Sequence, residues 1–532
     1  MRKLIILLCV CLLAFAVRAS FMFSAAFLSD EGIYVYAAYV MKCGVKPYSQ
    51  ITLVHPPLMY LTYAGFMELF GADLVLVRIF SITLFLISMF LIYCLAELLG
   101  SKPEGYAPKN IGLACAALYA FYPFIIPFSI ASPLVNMLTI FTLGCTIFYI
   151  KFLQHKKKAL MLLSGVFAGL AFMTWYIATF FIVTIFFFEI FRAFLQGEKI
   201  RACVKQITLM IIGAAIPVVT ILSWIFFVLH SFPHFYIQTF VLQTSRAGLT
   251  PFEKWSSINA YINYFYPLLI AGTVGVPALI RHVMKSGISA VILPAWLFIT
   301  NFIFLSVIPK TTFLHYFLYL SPYLVFISII GSFNILRLIP KNWKKIADKQ
   351  TAATLLSVLA VLTVISASVI INSLISFSPY FSNTPNQYTK AELYVGSYVA
   401  NLTSPLDKIW TSEPGIAFFA KRVIEAPNST YWSIQGFFND VFDTAYTDTY
   451  GVTHHGLGIV TPDLFIQAWE GDRVKVLIFI RGIGPVPYPD DLLWFGYPSQ
   501  VGVKSWVESN FELTQIVVAQ GVAYTYEIWV RK

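Results

Sequence analysis

The sequence predicts a polytopic α-helical membrane protein with a smaller α/β domain at its C-terminal end. Hydrophobic residues make up 58% of the 532 residues and charged residues only 11%, whereas soluble proteins have about 45–50% and about 25%. Up to residue 378 there are 26 Lys and Arg against 10 Asp and Glu, and beyond it 10 against 15. A basic excess confined to the apolar part is typical of cytoplasmic loops and argues against nucleic acid as a partner.

About eleven apolar runs have the length that crosses a bilayer as a helix. They cover about 4–27, 74–99, 110–128, 132–152, 159–173, 176–191, 207–229, 258–280, 288–308, 312–335 and 352–376. Threaded alternately, they leave 19 basic residues in the cytoplasmic loops and five in the opposite loops. The positive-inside rule then predicts a multi-pass protein of the plasma membrane with its C-terminal domain outside the cytoplasm.

The first apolar run has a second interpretation. Arg2-Lys3, the apolar core and Val17-Arg18-Ala19 together resemble a secretory signal with a cleavage site. The sequence leaves cleavage of residues 1–19 open. The orientation of the later runs is the same in both cases.

Two domains are expected, with residues 1–377 forming the membrane domain and residues 378–532 the outer α/β domain. Within the membrane domain, the outer loop 28–73 contains Pro56-Pro57 and then an apolar segment too short to span, which suits the membrane interface. The tail alternates helix-like segments at 388–401, 461–470 and 501–509 with apolar strand-like runs at 408–412, 474–481, 512–518 and 524–530. This alternation predicts a compact α/β domain.

The outer loop 28–73 holds the most informative group of residues. Asp30 and Glu31 follow the first apolar run directly, Tyr34 comes three residues later, and His55-Pro56-Pro57 opens the short apolar segment. Carboxylates beside a membrane helix are costly unless they face water, a cation or a reaction. The alternative is that they only mark the helix end, but the accompanying Tyr, His and Gly/Pro-rich loop favour the wall of a cavity.

These motifs resemble the first loop of family 39 glycosyltransferases, which include protein O-mannosyltransferases and aminoarabinose transferases. The resemblance rests on Asp-Glu-x-x-Tyr and on His-Pro-Pro-Leu-x-Tyr, and it continues over roughly residues 25–335. Further similar segments are Val77-Arg78-Ile-Phe-Ser81, Tyr93-x-x-Ala96-x-x-Leu-x-Gly100, Gly165-x-x-x-Gly169-Leu-Ala-Phe-x-Thr174 and His315-Tyr316-x-x-x-x-x-Pro322. The resemblance implies the GT-C membrane fold.

Three positions depart from the family pattern. Trp175 stands where many relatives have Lys, and the turn Pro133-Leu-Val135-Asn136 stands where many have an acidic residue. His55 replaces a Lys that is implicated in binding the donor phosphate in the aminoarabinose transferases. These departures leave the sugar and the acceptor open.

The resemblance implies transfer of a sugar from a polyprenyl-phosphate donor to a protein, lipid or glycan acceptor at the outer face of the membrane. Asp30 is the candidate general base, and Glu31 is its partner or the ligand of a divalent cation; no other cofactor is indicated. Candidates for the donor phosphate are His55, Arg246, Lys310 and, near the start of the second span, Arg78. Tyr34, His315 and Tyr316 are further candidates for substrate binding.

Each of these residues also has a plain structural interpretation. In that interpretation, Arg78 anchors a helix end by snorkelling, Arg246 and Lys310 are solvated surface charges, and His315 is an ordinary helix histidine. At the level of the whole chain, the alternatives are a transporter or flippase and a catalytically inactive GT-C-like assembly protein. Transporters usually contain repeated halves and broken helices at mid-membrane, and neither is evident in the sequence.

Overall fold

The computed structural model describes most of the chain and contains helices first and a sheet last. The described residues are 2–22, 29–51, 53, 55–100, 110–241, 251–286, 290–309, 312–338, 387–411, 414–424, 446–447, 453–454, 462–471, 473–482, 501–518 and 524–532. Within these ranges every strand lies after residue 407. The predicted order of a helical membrane part followed by a mixed α/β part is therefore confirmed.

The chain divides into two compact units. Unit 1 consists of Met1–Met22, Arg78–Ile221 and Gly248–Ser378, and unit 2 of Phe23–Val77, Leu222–Ala247 and Pro379–Lys532. All of the predicted outer loop 28–73 thus falls in the same unit as the C-terminal region. The predicted domain boundary at 377/378 lies outside the described residues and stays a prediction.

The helices up to residue 338 vary widely in length. They are α1 (Arg2–Phe21), α2 (Ser29–Lys42), α3 (Leu58–Phe70), α4 (Leu74–Gly100), α5 (Ile111–Phe121), α6 (Ile125–Ala131), α7 (Pro133–His155), α8 (Lys158–Thr174), α9 (Ala178–Leu195), α10 (Ile200–Ser223), α11 (Phe232–Tyr236), α12 (Pro251–Ser286), α13 (Leu293–Val307) and α14 (Ser321–Leu338). Single π-helical turns follow α10 and α11, and short 3₁₀ segments precede α13 and α14.

Eight helices in the described part of the chain are long and apolar enough to cross a membrane. A ninth span results if α5 and α6, which are bent by 74° at their junction, are counted as one. Ten of the predicted apolar runs coincide with helices, although α8 has only 17 residues, and the run at 352–376 lies outside the described residues. The chain is a multi-pass membrane protein, but the predicted count of about eleven spans is not confirmed.

The glycine motif of α8 permits direct contact between helix backbones in unit 1. A Cβ atom on Gly165 would lie 2.1 Å from the carbonyl oxygen of Met210, and one on Gly213 would lie 2.1 Å from that of Leu162. Gly169 faces Ala214 in the same way, at 2.3 Å. Small residues at such spacing let membrane helices approach closely, so the Gly-x-x-x-Gly segment has a packing role between α8 and α10.

A buried polar cluster connects helix ends elsewhere in unit 1. The Asn136 side-chain amide donates to the backbone and side-chain oxygens of Ser81 (3.2 and 2.9 Å) and to the carbonyl of Ser129 (3.0 Å). Arg18, from the segment that resembles a cleavage site, is fully buried; its Nε donates to Ser129 Oγ at 2.7 Å, and its guanidinium lies 3.7 Å from the centroid of the Phe85 ring. Asn136 therefore ties α4, α6 and α7 together.

The C-terminal part of unit 2 is an α/β domain. Its elements are α15 (Gln387–Leu402), β1 (Lys408–Thr411), α16 (Pro414–Ala420), β2 (Val423–Ile424), β3 (Tyr446–Thr447), β4 (Thr453–His454), α17 (Pro462–Gly471), β5 (Val476–Gly482), α18 (Val501–Asn510), β6 (Phe511–Val518) and β7 (Tyr524–Arg531). The predicted helix-like and strand-like segments of the tail are all present, within a few residues.

Five of these strands form one sheet in the order β2-β1-β5-β7-β6. β2, β1 and β5 run parallel, whereas β7 is antiparallel to both of its neighbours. Trp410, Trp469 and Phe479 are buried together, with ring centroids 5.2–6.4 Å apart. Large aromatic side chains bury enough apolar surface to give this small domain its own core.

Candidate functional site

The two motif carboxylates belong to a helix of their own. α2 begins at Ser29, so Asp30 and Glu31 lie in its first turn, and α1 has already ended at Phe21. The expectation that they directly follow the membrane helix is therefore wrong. Negative side chains in a first turn are favoured because the backbone N–H groups there carry partial positive charge. Ser29 is also a residue type that favours a helix start.

The side chain of Glu31 is buried. Only 1% of its surface is exposed. A carboxylate held away from water is costly unless hydrogen bonds or opposite charge compensate for the lost solvation. For Asp30 the structure describes only the backbone, at the second position of α2.

The structure brings together Tyr34 and His55, two of the predicted substrate-binding residues. Tyr34 lies one turn after Glu31 on α2, and its hydroxyl is 3.2 Å from His55 Nε2, with the donor set by the imidazole tautomer. Tyr60, the Tyr of the Pro-Pro-Leu-x-Tyr motif, packs edge-on against Tyr34 with ring centroids 6.0 Å apart. Tyr34, His55 and Tyr60 are all buried. We call Glu31, Tyr34, His55 and Tyr60 the α2–α3 cluster.

A strained loop residue fixes the backbone that carries His55. Tyr48 has φ +67° although it is not glycine, and its hydroxyl donates to the His55 carbonyl at 3.0 Å. The Gln238 side chain donates to the Tyr48 carbonyl at 2.8 Å and accepts from the Leu53 N–H at 3.1 Å. Burial raises the pKa of Tyr48, so its hydroxyl stays protonated and able to donate. Strained residues held from several sides cluster at functional sites.

The predicted residue Arg78 has a clear structural contact. It lies in unit 1 near the start of α4, is 1% exposed, and its Nη1 donates to the carbonyl of Met22, just after the end of α1, at 2.5 Å. A cation at the C-terminal end of a helix is favoured by the helix dipole. Arg78 is thus a buried cap of α1 and not a side chain that reaches outward to the membrane surface.

His315 and Tyr316 belong to an aromatic cluster in unit 1. They lie in the 3₁₀ segment Leu314–Leu320 before α14. The His315 ring stacks against both Trp175 and Phe313, with centroids 5.8 and 5.9 Å away, and Tyr316 packs edge-on against Trp175 at 4.8 Å. Trp175, which departs from the family pattern, therefore packs against both predicted residues.

Two predicted cations, Arg246 and Lys310, lie outside the described residues. Within the described ranges, no three or more His, Cys, Asp or Glu side chains are grouped so that they could hold a metal ion. Sequence reasoning did not single out Gln238 or assign a role to Tyr48. Gln238 lies 185 residues from Leu53 and carries no local signal, whereas Tyr48 is part of the Gly/Pro-rich motif.

Comparison with known proteins gives a consistent result. The sequence profile of the family described as dolichyl-phosphate-mannose-protein mannosyltransferase matches residues 54–224, beginning one residue before His55. No curated protein matches the sequence significantly.

Two solved structures are similar over almost the whole chain. They are ArnT from Cupriavidus metallidurans in the apo state (TM-score 0.60) and bound to undecaprenyl phosphate (TM-score 0.57). Each is 13% identical, and the match covers 99% of this chain and 97% of the other. The chain therefore has the GT-C fold, and the predicted resemblance to family 39 glycosyltransferases is confirmed.

Proposed function

We propose that the chain is a membrane glycosyltransferase that takes a sugar from a polyprenyl-phosphate donor and transfers it to a hydroxyl of a protein, lipid or glycan. The observation that carries this proposal is the α2–α3 cluster, in which the buried Glu31 lies one helical turn from the Tyr34–His55 pair. The GT-C fold, the mannosyltransferase profile and the undecaprenyl phosphate bound by a structural relative support it.

In this proposal Asp30 is the general base. The acceptor oxygen attacks the anomeric carbon of the sugar, the bond from that carbon to the phosphate oxygen breaks, and the acceptor proton passes to Asp30. The products are the glycosylated acceptor and polyprenyl phosphate. General-base help of this kind is worth about 10²–10⁴ in rate. Glu31 orients the reacting groups or holds a divalent cation.

The leaving phosphate needs hydrogen-bond donors, and His55 is our main candidate. Its position is fixed through its backbone by Tyr48 and through its ring by Tyr34. An imidazole N–H can donate to a phosphate oxygen, and charge-assisted hydrogen bonds are stronger than neutral ones. Arg246 and Lys310 remain further candidates, while the contact of Arg78 with the end of α1 favours a structural role for that residue.

We place the reaction on the outer side of the plasma membrane. The support is the charge asymmetry, with 19 basic residues in the predicted cytoplasmic loops and five in the opposite ones. A reporter fused after Lys532 should therefore behave as exported. Reporter activity in the cytoplasm would reverse the topology and remove the outer-face assignment.

The decisive assay uses purified protein and a labelled polyprenyl-phosphate sugar. The wild type should release polyprenyl phosphate and transfer the sugar to a hydroxyl acceptor, and Asp30→Asn should reduce transfer about a hundredfold or more at normal expression. Glu68→Gln is the matched control because Glu68 is an exposed carboxylate on the neighbouring α3. Full activity in both Asp30→Asn and Glu31→Gln would show that the carboxylates of α2 are not the reacting groups.

A further inference from the structure

The C-terminal domain packs directly on α2, the helix that carries Asp30 and Glu31. Within unit 2, α16 lies along α2, and six of its seven residues are buried although it belongs to the α/β domain. The Tyr39 ring meets the Phe418 ring edge-on, with centroids 6.0 Å apart. Since α16 also packs on α15, it is enclosed between its own domain and α2.

A hydrogen bond joins α2 to the edge of the sheet. β2 is the edge strand, and the N–H of Ile424 donates to the Tyr36 hydroxyl at 2.7 Å. Tyr36 is 1% exposed and Ile424 is 6% exposed, so this bond is shielded from water. An edge strand presents N–H groups that need partners, and here α2 supplies one.

Lys421 links three segments with one side chain. It lies immediately after α16 with φ +54°, and its ammonium is 3.7 Å from the centroid of the Phe418 ring and 5.3 Å from that of Tyr39. The same ammonium donates to the carbonyl of Ala72, in the turn between α3 and α4. Lys421 thus contacts α16, α2 and the turn that follows α3.

The charged surroundings of Lys421 are mixed. Burial lowers its pKa to about 8, while Asp73 opposes this shift and Lys42 adds to it. Cys43, the residue directly after α2, also raises the Lys421 pKa. Burying a cation costs free energy unless specific contacts compensate for the lost solvation. The Phe418 ring and the Ala72 carbonyl provide such contacts for Lys421.

The segment after α16 is itself held rigidly. Arg422 is 6% exposed, and its guanidinium donates to the hydroxyl and carbonyl of Thr403 (2.8 and 2.5 Å) and to the carbonyl of Ala400 (3.1 Å). These bonds fix the end of α15 to the chain between α16 and β2. The surface that meets α2 is therefore preorganised by its own domain.

The contacts with the C-terminal domain lie on a different side of α2 from the α2–α3 cluster. Tyr36 and Tyr39 are one turn apart, as are Glu31 and Tyr34. At 3.6 residues per turn, the centres of these two pairs are about 140° apart around the helix axis. α2 is thus held on one side and presents Glu31 and Tyr34 on the other.

We propose that α16, Lys421 and β2 form a brace that fixes the orientation of α2, with Tyr36 and Lys421 as positioning residues for its carboxylates. This inference rests on the proposed function. It assigns to the C-terminal domain a direct role in the geometry of the transfer site.

The test compares Tyr36→Phe, Lys421→Met and the double variant in the full-length protein. Tyr394→Phe and Lys475→Met are matched controls in the same domain, because Tyr394 is 52% exposed and Lys475 pairs with Asp407 at the surface. Each test variant should lower kcat about five- to thirtyfold with KM for donor and acceptor within about twofold of wild type. Lys421→Arg, which keeps the cation, should recover most of the lost kcat.

Amide hydrogen exchange gives a readout that does not depend on activity. Protection of residues 29–42 should fall by about the same factor as kcat, while that of residues 133–155 in unit 1 stays unchanged. Unchanged protection of 29–42, or an equal loss of protection across all of unit 2, would overturn the brace. If the wild type transfers no sugar but the exchange result is as expected, the proposed function fails and the brace stands.

Discussion

The two nitrogens of the His55 ring can be tested separately. Nε2 contacts the Tyr34 hydroxyl at 3.2 Å, and we expect Nδ1 to meet the donor phosphate. The amide nitrogen of Gln lies roughly where Nε2 lies, and that of Asn roughly where Nδ1 lies. His55→Gln therefore keeps the contact with Tyr34 and loses the phosphate contact, whereas His55→Asn does the opposite.

The structure sets the expected sizes of these effects. Losing the Tyr34 contact removes one buried hydrogen bond, which costs about 0.5–1.5 kcal/mol of folding free energy. Losing a charge-assisted bond to the phosphate costs about 1.5–3 kcal/mol of binding free energy, which corresponds to about a 10- to 150-fold higher Kd at about 1.4 kcal/mol per tenfold. His55→Asn should thus melt at a lower temperature with near-normal donor affinity, and His55→Gln should show the reverse.

Two measurements decide the outcome. Thermal unfolding without donor reports the Tyr34 contact, and titration with a short-chain polyprenyl phosphate in detergent reports the phosphate contact. Tyr34→Phe serves as the control and should reproduce the lower melting temperature of His55→Asn. If His55→Asn loses donor affinity and His55→Gln keeps it, Nε2 is the phosphate ligand and the assignment above is refuted. If neither variant changes donor affinity, His55 is outside the donor site.

Contacts of Lys421, Arg78 and Asn136 can be tested in the same way. Burial lowers the pKa of Lys421 to about 8 from an ordinary value of 10.5. Between these two pH values the unfolded chain binds more protons than the folded chain, so folding becomes more favourable as the pH rises. The melting temperature of the wild type should therefore rise relative to that of Lys421→Met as the pH increases from about 8 to 10. Arg78→Lys should lower the melting temperature, since it weakens the cap on Met22, and should leave donor affinity within about threefold; a tenfold loss would assign Arg78 to the phosphate. Asn136→Leu removes the three buried hydrogen-bond contacts of the Asn136 amide nitrogen. The free energy of unfolding, measured by thermal unfolding, should fall by about 2–4 kcal/mol. An unchanged melting temperature would contradict the role of Asn136 as a link between helices.

Patterns that depend on neighbouring residues could be predicted from the sequence. The tail strands are short apolar runs rich in β-branched and aromatic residues, and they appear where this pattern places them. The membrane helices follow from apolar length alone. α8 shows the limit of that argument. It has only 17 residues, and its glycines let it pack tightly against α10.

Contacts between distant residues could not be predicted. The segment after Glu31 is rich in Tyr and Val, which favour strands over helices. From the sequence it is therefore assigned to a loop and not to a helix. It is helical in the structure because α3 and α16 cover two of its sides. The bond from Ile424 to Tyr36 joins residues 388 positions apart, and no local pattern in either segment indicates it.

The shortness of α2 explains why so many contacts converge on it. A helix of 14 residues is marginally stable in water on its own, because forming its first turn is costly and few backbone bonds follow. Its orientation must therefore come from tertiary packing, on one side through Tyr34 with His55 and Tyr60, and on the other through Tyr36 with the sheet edge. Carboxylates placed on such a helix are only as well positioned as the segments that pack against it. In this chain those segments come from residues 55–70 and from the C-terminal domain, so residues 31 and 424 contribute to the same local geometry despite their separation in sequence.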